Sequence, residues 1–288
     1  MKRAVKREKA VRPARPFGLH KLIADGFPEK FDIKTVYHYT SSQVAQLLLN
    51  PETAMLYCTW VKALNDEQEY RIGLEYALSH IAEVMGLSQE VLSEVKDMVM
   101  LYEKDDYRIP WVMSFSANGD LLGQWRAYTD QQTGGYAVGF SFKKLEALVE
   151  RIVVDKSRLS KGERMPYILH LLPCFYLDYS SKTAMDDLAK FFKLIFVDHF
   201  NCTVKGLVDV RDPHQYAFAI ATFICIFASV VKNASFSGEQ EYRLMMQLRD
   251  KKYARNVEIV GGKPRLRISQ KIPSRAIQEH YHPMAKIF

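Results

Sequence analysis

Apolar residues recur along the chain with two periods, two and about three and a half, and the switches between them mark the elements. Residues 35–40, TVYHYT, are β-branched and aromatic and predict a short strand. Ser41 or Ser42 then caps a helix with Val44, Leu47 and Leu48 on one face, stopped at Asn50 by Pro51. Residues 55–61, MLYCTWV, predict a second buried strand, and Asn65-Asp66-Glu67-Gln68 opens a helix with Asn65 as its cap. After Ser88 an amphipathic helix shows Val91, Leu92, Val95, Met98, Val99 and Tyr102 on one side. WVMSFS after Pro110 is strand-like.

Gly135 to Phe142 alternates strictly. Tyr136, Val138, Phe140 and Phe142 form a bulky face, and Ala137, Gly139 and Ser141 form one small enough for a ligand or a packed element. Residues 172–179 predict a strand, and 184–200 a helix with Leu188, Phe191, Phe192 and Ile195 inward. Asp212-Pro213 pairs a cap with proline at the first helical position and starts a buried helix over 213–232. Glu239 to Leu248 predicts a strand, and a hairpin through Gly261-Gly262 closes the pattern. Strands and helices interleave without strict βαβ order, which predicts an α+β fold rather than a doubly wound parallel sheet. No linker divides the chain, so a basic flexible tail over 1–18 and a single α+β domain over 19–288 are expected.

Composition adjusts this picture in three places. Hydrophobic residues are 48% of the chain, enough for a large core. Cys58, Cys174, Cys202 and Cys225 sit in apolar contexts without CxxC spacing, which predicts buried thiols in a reducing, cytoplasmic setting. The net charge of +7 is concentrated in residues 1–16, which hold seven bases and one acid. The rest is nearly neutral. Such an arm can hold phosphate backbones or be a solvated terminus. The start lacks the apolar stretch of a secretory signal, and the longest apolar run, Tyr216 to Val231, is too short to span a membrane. No membrane partner is expected.

Standard catalytic motifs are missing. There is no Walker A loop, GxGxxG after a strand, HExxH or GxSxG. His280-Tyr281-His282 lacks a third ligand, so no metal site is predicted. What remains is polar residues inside apolar strands: VYHYTS (36–41), SFSANGDLLGQWRAYTD (114–130), GGYAVGFSF (134–142) and GEQEYRL (238–244).

Together with ALNDEQEY (63–70), these segments resemble the bacterial domain-of-unknown-function family 2971 in order and approximate spacing from Val36 to Arg243. Their layout in turn resembles the ADP-ribosyltransferase fold, a mixed sheet core with several packed helices and three active-site elements on separated strands. That resemblance implies NAD as substrate, with His38, Tyr39 and Thr40 on the first strand, Ser114 and Ser116 or Tyr128 in the middle, and Glu241 late. Tyr136 is a second candidate for stacking on nicotinamide. It further implies transfer of ADP-ribose to an unknown macromolecular acceptor or hydrolysis of NAD, in a toxin or anti-phage effector.

The residues themselves suit such chemistry. Cleaving a nicotinamide–ribose bond passes through an oxocarbenium-like cation, which a carboxylate in a dry cavity stabilises. On a strand, Glu239, Glu241 and Arg243 would share one face, Glu241 orienting the ribose and Glu239 serving the acceptor. The same alternation also fits an exposed edge strand. His38 alone also reads as a core histidine, Tyr37 and Tyr39 as packing, Asp120 as a helix cap, and Arg126 as a partner of Asp130. Lys232 and Ser237 flank the entry to the late strand and could face the same pocket. Two other functions compete. One is a non-enzymatic nucleic-acid-associated binding or sensor module anchored by the basic arm. The other is a metal-dependent nuclease using Asp120, Glu239, Glu241 and Lys232.

Overall fold

The structure, a computed structural model, describes residues 19–50, 56–64, 68–104, 108–129, 134–154, 167–200, 211–248, 257–260 and 263–267. The basic arm, Cys202, the Asn65 cap, Asp130, Gly261-Gly262 and the His280/His282 pair lie outside these residues. The strands in chain order are β1 (Thr35–Ser41), β2 (Tyr57–Trp60), β3 (Trp111–Ser116), β4 (Gly135–Ser141), β5 (Tyr167–Pro173), β6 (Phe175–Leu177), β7 (Val231–Asn233), β8 (Glu241–Leu248), β9 (Val257–Val260) and β10 (Lys263–Arg267). The helices are α1 (Leu19–Gly26), α2 (Pro28–Phe31), α3 (Ser42–Leu49), α4 (Gln68–Met85), α5 (Gln89–Lys104), α6 (Leu122–Tyr128), α7 (Phe142–Val154), α8 (Lys182–Lys193) and α9 (Pro213–Ala228).

β3 is the axis of an antiparallel sheet. Along one edge β8 pairs with it from Trp111↔Met246 to Ser116↔Glu241, and β5 lies beyond β8. Its other edge is divided. β2 takes one end, at Trp60↔Trp111 and Thr59↔Val112, and β1 takes the other, at Tyr37↔Ser116. β1 carries β4, whereas β2 carries β10 and then β9. The sheet therefore forks beside Met113 and Ser114. A separate parallel pair, β6 with β7, sets Tyr176 opposite Lys232.

Period-2 patterning explains why the sheet is covered on both faces. Val112, Leu172 and Met245 join α4, α5, α8 and α9 in one cluster. Trp111, Met113, Phe115, Leu244 and Met246 join Ala45 and Leu48 of α3 and Leu145, Leu148 and Val149 of α7 in another. The architecture is mixed α+β with a mostly antiparallel sheet and several helices, as the interleaved pattern predicts. Cys58, Cys174 and Cys225 are buried free thiols, and no described helix is long and apolar enough to cross a membrane.

The small face of β4 receives a packed element, α6, one of the two occupants its size allows: Ala137 packs with Tyr39 and Trp125. Three local expectations change. The strand predicted over 172–179 breaks at Cys174, whose N–H donates to Glu241 O (2.8 Å) while Phe175 N–H turns to Val230 O. The helix expected to reach 232 ends at Ala228, because Val231–Asn233 pairs with β6. The alternation Glu, Glu, Arg is not an exposed edge, since every residue of β8 is buried between β3 and β5.

Candidate active site

One rung of the sheet, Tyr37–Ser116–Glu241, brings β1, β3 and β8 side by side. The residues singled out on three distant segments thus become neighbours. β8 starts at Glu241, so Glu239 is not on the strand. It sits in a 3₁₀ turn over Ala234–Glu239, followed by Gln240 in the left-handed region (φ 45°). That reversal, unusual for a residue with a side chain, returns Glu239 to the same cation as Glu241. Ser116 secures the turn, its hydroxyl donating to Glu239 O (2.8 Å) and accepting from Asn118 N–H.

The cation is Lys232 on β7. Its ammonium lies 2.5 Å from a carboxylate oxygen of Glu239, 2.5 Å from one of Glu241 and 3.1 Å from one of Glu69 on α4. Arg243 completes the cluster: Nε donates to Glu241 (2.7 Å), one terminal nitrogen to Glu69 (2.5 Å) and the other to Ser229 O (2.7 Å). The backbone N–H of Glu241 donates to Tyr176 Oη (3.0 Å). Glu69, Lys232, Glu241 and Arg243 are all buried, and Glu239 is the most exposed member. A cluster so far from water persists because each charge has charged, hydrogen-bonded partners.

Counting all five groups as ionised gives two positive and three negative charges, an excess of one negative. Burial opposes ionisation of Glu241, but Arg243 and Lys232 outweigh it and hold the carboxyl down at about 2. Glu239 moves the other way. Burial raises its pKa, Lys232 opposes, and the charges on Glu241 and Glu69 add to the rise. Burial also works against Lys232, yet Glu241 and Glu69 keep it firmly protonated. The arrangement separates two carboxyls that look alike in sequence: Glu241 is a fixed anion, and Glu239 is the one able to take a proton.

Two adjoining spaces open beside the cluster. The smaller, ≈ 40 Å³, reaches Glu239, Glu241, Ser116, Gln124 and Tyr128. The larger, ≈ 450 Å³, occupies the fork of the sheet between β1, β2 and β3. α3 contributes Val44 and Leu48 to its wall, and α6 contributes Ala127 and Tyr128. His38, Tyr39, Ser114 and Tyr128 border both spaces. The larger volume falls in the range of small-molecule sites.

His38 occupies the point where the β1–β3 ladder ends. Its Nδ1 lies 2.9 Å from Ser114 O, and its ring meets Phe115 at 5.9 Å. A carbonyl only accepts, so Nδ1 carries the proton and Nε2 is left as an acceptor. Burial, against the Ser114 hydrogen bond and with a contribution from Arg265, lowers the His38 pKa and keeps the ring neutral. Tyr128 is 43% exposed at the mouth, while burial and then the charges of Glu241 and Glu239 push its phenol up to about 12.

The remaining expected residues divide. Thr40 is buried and lines the larger space. Tyr39 borders both spaces, but its hydroxyl is committed, donating to Asn118 O and accepting from Leu121 N–H at 2.8 Å each. Tyr136 borders neither space and packs against the core under α7. Asp120 does not cap α6. It accepts from Trp125 Nε1 (2.9 Å), seating the indole against Tyr39.

Sequence reasoning passed over Glu69 and Arg265. Glu69 reads as an ordinary first-turn acid, although its helical phase with Gly73 and Ala77 puts it on the buried face. Gly73 makes that placement possible, since a Cβ there would lie 2.5 Å from Ala228 Cα. Residues 124–244 match a family model described as "Protein of unknown function (DUF2971)". The match supports the family resemblance over α6 to β8, which holds Tyr128, Lys232, Glu239, Glu241 and Arg243. No curated protein and no solved structure matches the chain.

Proposed function

We propose that the chain is an NAD-consuming enzyme of mono-ADP-ribosyltransferase type, which releases nicotinamide and passes ADP-ribose to an acceptor or to water. The observation that carries this reading is the convergence of His38, Ser114 and Glu241 from β1, β3 and β8 on one cleft whose carboxylates exceed the cations beside them. In the reaction the bond between nicotinamide and ribose C1′ breaks. Its electron pair leaves with nicotinamide, which becomes neutral, and positive charge develops on the ribose.

Glu241, anionic across the physiological range, would oppose that charge and accept a hydrogen bond from a ribose hydroxyl. Lys232 and Arg243 hold it in place, so the dipoles need no reorganisation as charge develops. His38 Nε2 would accept from a second ribose hydroxyl. The exposed face of Tyr128 suits stacking on the nicotinamide ring. Glu239, with its raised pKa and greater exposure, suits taking a proton from the acceptor nucleophile as the new C1′ bond forms.

The test is Glu241→Gln. The substitution keeps the shape and leaves two cations facing two carboxylates, so the fold should persist. Nicotinamide release should fall to background, and adenine-labelled NAD incubated with cell lysate should leave label neither in macromolecules nor as free ADP-ribose. Full activity in this variant would remove the central claim. Among the alternatives, the nucleic-acid module rests on the basic arm, outside the described residues. The metal-dependent nuclease would need Asp120 beside Glu239 and Glu241, whereas its carboxylate is engaged by Trp125.

A further inference from the structure

The larger cavity exists because two strands leave β3. β1 departs after Tyr37↔Ser116 and β2 after Thr59↔Val112, leaving the edge of Met113 and Ser114 open to the fork. Beyond β2 lies β10, and the rung Arg265↔Thr59↔Val112 turns all three side chains to one face, where all three line the cavity. Among the described lining residues Arg265 brings the only formal charge other than His38, which is neutral, and none of these described residues is an aspartate or glutamate.

The guanidinium is incompletely satisfied. Arg265 Nε is buried and has no hydrogen-bond partner among the described residues, and burial lowers the pKa of the group despite the nearby Tyr57. An arginine N–H held from water without an acceptor is rare in folded proteins, and the same side chain lines the cavity. Its planar fork matches phosphate better than any lysine would. Thr40, Thr59 and Ser114 add hydroxyls to the same walls. The cleft is thus polarised, with a cation at the β10 end and excess carboxylate at the β8 end.

We propose that Arg265 is the anchor of a diphosphate subsite, gripping the phosphates of a nucleotide whose other end reaches Glu241. The inference rests on the NAD reading for the identity of that nucleotide. The geometry at Arg265 asks only for a phosphate-bearing anion. It lies past the stretch matched by the family model, on a hairpin strand that reaches the site through β2.

Calorimetric binding of ADP-ribose, inorganic pyrophosphate and adenosine to the full chain, as wild type, Arg265→Gln and Arg265→Lys, tests this. Arg265→Gln should weaken ADP-ribose and pyrophosphate by roughly 10- to 100-fold, the range of a charge-assisted contact. It should leave adenosine unchanged and the melting curve close to wild type. Arg265→Lys should recover part of the loss. Equal binding of both phosphate ligands to wild type and Arg265→Gln, or no binding of either to wild type, overturns the subsite. Pyrophosphate bound through Arg265 while ADP-ribose is ignored and NAD stays intact sinks the NAD reading and leaves the subsite standing. NAD cleavage indifferent to Arg265 does the reverse.

Discussion

Replacing Lys232 with methionine asks how much of the fold depends on one buried charge. The ammonium is 3% exposed and contacts Glu69, Glu239 and Glu241. Removing it leaves three carboxylates to a single cation, Arg243, and doubles the excess of negative charge. Breaking a buried ion pair by deleting one partner costs about 3–5 kcal/mol, a large part of the roughly 5–15 kcal/mol that holds a domain together. At roughly 2–4 °C per kcal/mol for a chain of this size, the melting temperature should fall by about 6–20 °C at neutral pH. Glu239→Gln added to Lys232→Met restores the original excess and should recover part of the loss, a coupling of about 0.5–3 kcal/mol.

The dependence on pH gives a second signature with a definite sign. In the wild type Glu241 is held at about 2 against an ordinary 4.5. Its contribution to stability, about 3 kcal/mol by linkage, is complete above 4.5 and disappears as pH falls through about 2. Without Lys232 only Arg243 in the cluster still opposes burial and mutual repulsion, and the folded pKa values of the carboxyls rise. Glu241 then loses part of its contribution, and Glu239, whose pKa is already raised, favours the fold at low pH and opposes it as pH rises. The gap in melting temperature between the two proteins should therefore narrow from neutrality toward about pH 4. Calorimetric scans across that range decide it. A variant that melts within about 2 °C of wild type, with a gap that ignores pH, would show that the carboxylates do not depend on Lys232.

Two further predictions probe how the site is built. Gly73→Ala drives a Cβ to 2.5 Å from Ala228 Cα, so α4 must shift and carry Glu69 away from Lys232. A loss of about 1–3 kcal/mol in denaturant unfolding is expected, and an unchanged midpoint would contradict the tight α4–α9 approach. Tyr128→Phe should keep the KM for NAD within about twofold and Tyr128→Ala should raise it about tenfold or more, the effect of losing an aromatic stacking surface. Equal effects of the two substitutions would assign the role to the hydroxyl instead of the ring.

Local chemistry made much of this legible before any coordinates. The β-branched and aromatic run of β1, the buried face of α5 and the Asp212-Pro213 start of α9 are written in short windows, because caps and amphipathic faces act over one or two turns. The face of α3 is not, since Ala45 and Leu48 turn inward while Leu47 stays exposed. Asp212 indeed accepts from the N–H groups of His214 and Gln215. The polar residues set among apolar segments also marked a common region, since His38, Ser114, Tyr128, Glu239 and Glu241 border one pair of adjoining spaces. Tyr136 was misplaced because alternation gives the face of a residue but not what covers that face. The break at Cys174 and the end of α9 at Ala228 escaped for a related reason: each is set by pairing with a strand far away in sequence.

The sequence by itself determined where most of the short strands and helices form, because that depends on neighbours a few positions apart, but not where each of them stops. Only the tertiary structure decided what the polar residues are to one another. It turned an apparent surface ladder into a buried cluster by inserting β8 between β3 and β5. It brought Glu69 to Arg243 across 174 positions of chain. It also set Arg265 on the wall of a cleft that begins at His38, through strand pairings reaching from β10 across β2 to β3. Charge, burial and pKa arise from those distances in space, and no period along the chain encodes them.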